Sequence, residues 1–270
     1  MSQPIRLFQL LLLLLLLSDS LLFKLFYIAL LDLMLTITLV RHGNTNANNE
    51  RWIQGQLGKQ KNKQNSCPER FLSDTELNDN GLKQAKQCGE RLKNERFDHV
   101  YCSDLKRCRQ TASEILVFHE SLTIEYRPGL READFGKLSG LPIKALSHEA
   151  ARLKVSYDQA AAVHGGETRM TFETRIIQTF ETIVKDAKEK GYTSILIVTH
   201  GGPLRCLAAY WEQQKYQVMD TSIRISTVPH GNTAVTKITI DANGKGFIYV
   251  FNDSSHLDAQ NTANDPPPAV

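Results

Sequence analysis

The chain has 270 residues, 41% of them apolar and 23% charged, enough for one large domain or two small ones. A formal net charge of +3 excludes the dense basic character of a dedicated nucleic-acid binder. Five cysteines (Cys67, Cys88, Cys102, Cys108, Cys206) lie scattered without a C-x-x-C pair, so neither a disulfide framework nor a zinc site is indicated, and reduced thiols in a cytosolic domain are expected.

The N-terminus stands apart from this picture. Leu10 to Leu17 is an unbroken leucine run, and Leu21 to Leu31 is a second apolar stretch interrupted by Lys24. Residues 7–31 could form one membrane anchor, with Ser18, Asp19 and Lys24 near its middle. Alternatively, residues 1–34 are a hydrophobic extension with no part in the fold, because "MLTITLVRHG" from Met34 would itself make a sensible start. A cleaved signal fits less well, with only Arg6 ahead of the run and "SDS" after it.

From residue 35 strand and helix signals alternate. "LTITLV" reads as a strand buried on both faces. The lysine-bearing stretch "GKQKNKQNSCPERFLS" has no periodicity and reads as a surface loop or a basic flap. "NDNGLKQAKQCGERLKNER" has helical spacing at Leu82, Ala85, Cys88, Gly89 and Leu92, with Asn78 or Asp79 as cap. "FDHVYCS" is a second strand, running into a helix with Leu105, Cys108, Ala112, Ile115 and Leu116 inward. "LTIEYRP" is a third strand, and residues 141–164 read as one helix and a loop. A long amphipathic helix follows, with Phe172, Ile176, Phe180 and Ile183 on one side and Gly191 beyond its end. "SILIVTH" is the fourth strand, and Pro203 sits near the first turn of the next helix. "AVTKITI" and "GFIYVFN" form a hairpin around "DANGKG". The polar, proline-ended tail, residues 257–270, is expected to be disordered. The alternation predicts an α/β domain over residues 35–256: a mainly parallel central sheet between two helical layers, a three-layer α/β/α sandwich.

Open parallel sheets bind ligands at the carboxyl ends of their strands. Arg41 and His42 follow the first strand; Ser103, Arg107 and Arg109 follow the second; Glu132 follows the third; His200, Gly201 and Gly202 follow the fourth. Any one of these has an innocent structural explanation. Together, two histidines and at least two arginines on one crevice make a cationic site that a bound dianion would relieve, and guanidinium forks suit phosphate oxygens. A neutral imidazole beside such a phosphate is a competent nucleophile. A carboxyl group is then needed to protonate the leaving oxygen, and Glu132 is the best placed. No metal or other cofactor is implied: no carboxylate cluster has metal-ligand spacing.

The segments "LVRHGNTNAN", "YCSDLKRCRQTA", "LREADFGKLSG", "HGGET" and "ILIVTHGGPLRCL" resemble, in this order, the motifs of the histidine phosphatase superfamily, the phosphoglycerate-mutase-like proteins. The resemblance implies a phosphoglycerate mutase-like fold and a phosphomonoesterase working through a phosphohistidine. By it, His42 is the nucleophile and Glu132 the proton donor. Arg41, Arg107 and His200 form the phosphate pocket, joined by Asn48 and by the backbone of Gly201, while Arg109 has no carried-over role. Asn44 stands where family members often have Glu, and the loop after "IQGQ" is longer than usual. Thr45 and Ala47 replace the Arg and Pro of the acid-phosphatase branch, which points to the other, largely intracellular branch.

About two dozen residues separate Gly140 from Gly165, too few for the usual mutase cap, so hydrolysis is expected over transfer. "IQGQ", "LREADFGKLSG" and "HGGET" are similar to the fructose-2,6-bisphosphatases of the TIGAR type. The alternatives are a broad-specificity phosphatase or mutase of sugar phosphates and phosphoglycerates, and, in another class, a non-catalytic phosphate-binding scaffold. The expected partner is a small phosphorylated metabolite, with no nucleic acid. The expected location of the catalytic domain is cytoplasmic.

Overall fold

Strand β1 (Leu35–Arg41) lies at the middle of a seven-stranded sheet. The computed structural model describes residues 34–56 and 74–257. The N-terminal hydrophobic stretch, the lysine-bearing loop and the tail from residue 258 lie outside the described residues. Leu257, assigned to that tail by sequence, is buried. Among the described residues no helix is long and apolar enough to cross a membrane.

The other strands are β2 (His99–Cys102), β3 (Ile124–Tyr126), β4 (Ser194–Thr199), β5 (Gln217–Val218), β6 (Val235–Ile240) and β7 (Gly246–Asp253), in the order β3-β2-β4-β1-β6-β7-β5. The pairings β1–β4, β2–β4, β2–β3 and β5–β7 are parallel; β6 runs antiparallel to both β1 and β7. The expected hairpin is β6–β7, and its turn closes with Asp241 N donating to Lys245 O at 3.0 Å. The two-residue edge strand β5 was not foreseen; it is too short to show periodicity.

Side-chain alternation explains why the strands read as unbroken apolar runs. Leu35, Ile37 and Leu39 of β1, Ile195 and Ile197 of β4, and Ile238 of β6 face one core. It is completed by α6 (Arg169–Glu189), through Ile176, Phe180 and Ile183, and by α7 (Gly201–Gln213), through Leu204, Leu207 and Trp211. Val40, Val100, Leu196 and Val198 face the opposite core, closed by α2 (Asp79–Leu92) and α3 (Lys106–Leu116). The central strands β1 and β4 thus bury apolar side chains on both faces, which gives the three-layer sandwich. The short helix α1 (Asn46–Asn49) follows β1.

Residues 141–164 differ from expectation: they form two helices, α4 (Ile143–Leu153) and α5 (Tyr157–Val163). Lys154, in the left-handed region at φ 56°, ends α4, and a Ser156–Gln159 capping box starts α5 two residues later. The pair packs Leu146, Ala150, Ala160 and Ala161 around Ile53 and Leu138. Ile53 N donates to Leu141 O at 2.8 Å and Gly140 N to Ile53 O at 2.7 Å. These bonds seat the segment carrying Gln54, Gly55 and Gln56 beside the strand ends.

Candidate active site

The strand register sets the site. Arg41 of β1 pairs with Thr199 of β4, so His42 and His200 leave the sheet at the same level. Cys102 of β2 pairs with Val198, which brings Ser103 opposite Thr199, one residue before His200. His42 N donates to Thr199 O at 2.9 Å, and Ser103 N to Val198 O at 2.9 Å, extending the ladder by one rung.

His42 is buried, and its Nδ1 lies 2.8 Å from the carbonyl oxygen of Gly43. A carbonyl only accepts, so Nδ1 carries the proton and Nε2 keeps its lone pair. Burial, and after it the charges of Arg107 and Arg41, hold His42 well below the ordinary histidine value of 6.5. The turn beneath it is tight: a Cβ at Gly43 would lie 2.5 Å from the carbonyl oxygen of Gly81. Gly43 N donates to Thr111 Oγ1 at 3.0 Å, and Asn44 N to Gln84 Oε1 at 2.9 Å. Helices α2 and α3 therefore grip the backbone that follows the nucleophile candidate.

His200 is fully buried and faces His42 edge-on. Its Nδ1 accepts from Arg107 Nε at 3.2 Å, so Nε2 carries the proton and donates to Ser103 Oγ at 2.8 Å. Burial first, then Arg107, His42 and Arg41, hold it well below 6.5. Arg107 is 1% exposed. It also donates to Thr75 Oγ1 at 3.1 Å and to Gly55 O at 3.0 Å, with Asp74 Oδ1 at 3.9 Å from Nη1. Arg41 is buried, and its Nη1 donates to His230 O at 2.6 Å. A Cβ at Gly201 would sit 3.4 Å from Arg41 Nε, so Gly201 lies directly against that guanidinium.

Glu132 closes the group. Its carboxylate accepts from Ala133 N at 2.9 Å and from Gly202 N at 3.1 Å, at the N-terminus of α7. A Cβ on Gly202 would fall 2.0 Å from Glu132 Oε1, so a side chain there would push the carboxylate out of its place. Asn48 is placed differently from the rest. Its Oδ1 accepts from Thr45 N at 3.1 Å and its own N donates to Thr45 Oγ1 at 3.1 Å in a capping box. Asn48 connects to Arg107 through a relay: Thr45 and Thr75 both donate to Gln54 Oε1, and Thr75 accepts from Arg107. Arg109 points away, with its guanidinium 5.2 Å over the ring of Tyr126.

Sequence reasoning missed the loop before β6. Because β6 is antiparallel, its beginning, not its end, lies at this edge, and a rule about carboxyl ends overlooks it. Asn232 Nδ2 donates to His42 O at 2.7 Å, and Thr233 N donates to Arg41 O at 3.1 Å. Thr111 and Gln84 were also missed, since helix periodicity counts apolar positions. Cys108, read as a packing residue, is fully buried, with Sγ 3.4 Å from His200 Nε2. Among the described residues, no group of three or more His, Cys, Asp or Glu could hold a metal ion.

Residues 37–253 match the family model of the histidine phosphatase superfamily, branch 1. The chain is 28% identical to a protein named "probable phosphatase" from Schizosaccharomyces pombe, over 84% of this chain and 97% of that one. It is 27% identical to a broad-specificity phosphatase of Saccharomyces cerevisiae, over 80% and 84%. Among solved structures, it is similar to a phosphoglycerate mutase from Bacillus anthracis, with TM-score 0.65, 25% identity, and 83% and 95% of the two chains covered. With this fold and this match, the chain belongs to the histidine phosphatase superfamily, branch 1, and is by class a phosphoric monoester hydrolase.

Proposed function

We propose that the protein is a metal-independent phosphomonoesterase that works through a phosphohistidine at His42. The observation that carries this reading is the tautomer: Nδ1–H is bound to Gly43 O, leaving Nε2 as a lone pair on a ring kept neutral. Nε2 attacks phosphorus, the bond to the ester oxygen breaks, and Glu132 gives that oxygen a proton. Water then attacks the phosphohistidine, Glu132 takes its proton, and the P–N bond breaks to free His42 and phosphate. Arg41, Arg107 and His200 hold the equatorial oxygens and offset developing charge, with the Gly201 backbone beside Arg41, and Asn48 supporting the pocket from behind through Thr45, Gln54 and Thr75.

For the substrate we read a small sugar phosphate, fructose 2,6-bisphosphate first, losing its 2-phosphate. The support is the similarity of "IQGQ", "LREADFGKLSG" and "HGGET" to the TIGAR type, together with the short connection between Gly140 and Gly165. Broad specificity is the second reading, favoured by the similarity to the yeast broad-specificity phosphatase. A non-catalytic scaffold is disfavoured because no pocket residue is missing. Steady-state kinetics on fructose 2,6-bisphosphate, 2,3-bisphosphoglycerate and phosphoserine separate the three. A kcat/KM at least about tenfold higher for the first, about 1.4 kcal/mol of transition-state discrimination, supports the TIGAR-like reading. A flat profile transfers support to broad specificity, and binding without turnover to the scaffold.

A further inference from the structure

The "HGGET" segment and the middle of α6 have no role in the chemistry above, yet they meet at the backbone of Glu132. Arg175 of α6 has five N–H donors, and all are engaged. Nε donates to Glu167 Oε1 and Nη2 to Glu167 Oε2, each at 2.7 Å, a bidentate pair. The remaining donors go to three main-chain carbonyls around the proton donor: Nη1 to Gly129 O at 2.8 Å and Arg131 O at 3.0 Å, and Nη2 to Glu132 O at 3.2 Å. Glu167 in turn accepts from Asp134 N at 2.9 Å, and its own N donates to Asp134 O at 2.7 Å. Gln56 Nε2 also donates to Glu132 O, at 2.9 Å.

We propose that Arg175, locked by Glu167, is a positioning residue that sets the backbone of Glu132 so that its carboxyl group meets the leaving oxygen. Loops satisfy their carbonyls with whatever is near; here one planar, half-buried guanidinium takes three of them across four residues. Its fork fixes the peptide plane after Glu132, and so the direction in which that side chain leaves the chain. An ammonium cannot reproduce five donors in a plane. Misplacing a catalytic group by about 1 Å can slow chemistry about 10²-fold without touching substrate binding. The inference rests on the phosphohistidine reading above.

The test is single-turnover phosphorylation of His42 by two substrates. Glycerol phosphate leaves as an alkoxide that needs a proton; p-nitrophenyl phosphate leaves as a phenolate that does not. Arg175→Lys should slow labelling by glycerol phosphate about 10- to 100-fold, and by p-nitrophenyl phosphate by less than about 3-fold, with KM little changed. Glu167→Gln, which keeps Arg175 and a neutral acceptor, should show the same pattern more weakly, and it decides the matter if Arg175→Lys does not fold. Equal slowing with both substrates, or no slowing with either, overturns the positioning role. Failure of the wild-type protein to label at His42 would instead overturn the catalytic reading beneath it.

Discussion

The imidazoles of His42 and His200 meet edge to face, with ring centroids 5.1 Å apart and 64° between their planes. Two charged histidines could not be held this way between Arg41 and Arg107. Both rings are kept neutral, and the backbone and side-chain partners choose opposite tautomers: Nδ1–H in His42, Nε2–H in His200.

A neutral His42 sets the acid side of the pH profile. Its pKa lies well below 6.5, so the nucleophilic form persists as pH falls through the ordinary histidine range. The profile of kcat/KM, corrected for substrate ionisation, should show no acid limb near 6.5. A limb there that disappears in no other histidine variant would contradict the buried, neutral nucleophile.

Stability should depend on pH in the opposite sense. His230, 1% exposed, is pushed down to about 3, mainly by burial and then by Arg41 and Arg205. Between that value and 6.5 the unfolded chain binds a proton that the folded chain does not. The folded state is therefore fully favoured above 6.5 and loses stability as pH falls. The melting temperature should drop from pH 7 toward 4, and His230→Phe should flatten that drop relative to wild type.

His42→Ala should abolish turnover and acid-labile phosphate incorporation together. Labelling retained in this variant, mapped by mass spectrometry, would move the nucleophile to another residue.

Gly202→Ala should mimic Glu132→Gln. The added methyl falls on the carboxylate, the mobile end of a side chain, so folding should change little. Both variants should bind substrate but slow the chemical step by about 10²-fold. A Gly202→Ala enzyme with wild-type kcat would show that the carboxylate need not sit where it does.

Arg107→Lys should lose more than a charge-preserving change suggests. The guanidinium serves His200, Thr75 and Gly55 at once, and an ammonium cannot span all three. Losing one charged hydrogen bond to phosphate, about 1.5–3 kcal/mol, should weaken inorganic phosphate inhibition about 10- to 100-fold. Treatment with a chelator, by contrast, should leave activity unchanged; inhibition reversed by added metal would reopen the question of a bound ion.

The first strand shows how far a linear reading reaches. Ile37 to Val40 are apolar on both faces because helices cover both, and that rule is local enough to read directly. The Arg41–His42 pair after it was equally easy to single out as a candidate, since ligands gather where parallel strands end. Residues 141–164 were harder: the break between α4 and α5 depends on one left-handed residue, Lys154, where the glycine or asparagine that would announce that conformation is absent. Asn232 was invisible for a different reason, because only the antiparallel placement of β6 brings it to His42.

By itself, the sequence determined which residue types stand at the strand ends, and so the groups on which the proposed chemistry draws: two imidazoles, guanidinium groups and a carboxyl group. Side-chain chemistry and strand periodicity are properties of short segments, and they survive without knowledge of neighbours. Only the tertiary structure decided which nitrogen of His42 carries its proton, that Asn48 works through a cap and a relay, and that Arg175 holds the carbonyls around Glu132. Those outcomes depend on hydrogen-bond partners dozens of residues away or on backbone groups, and a sequence writes every backbone group alike.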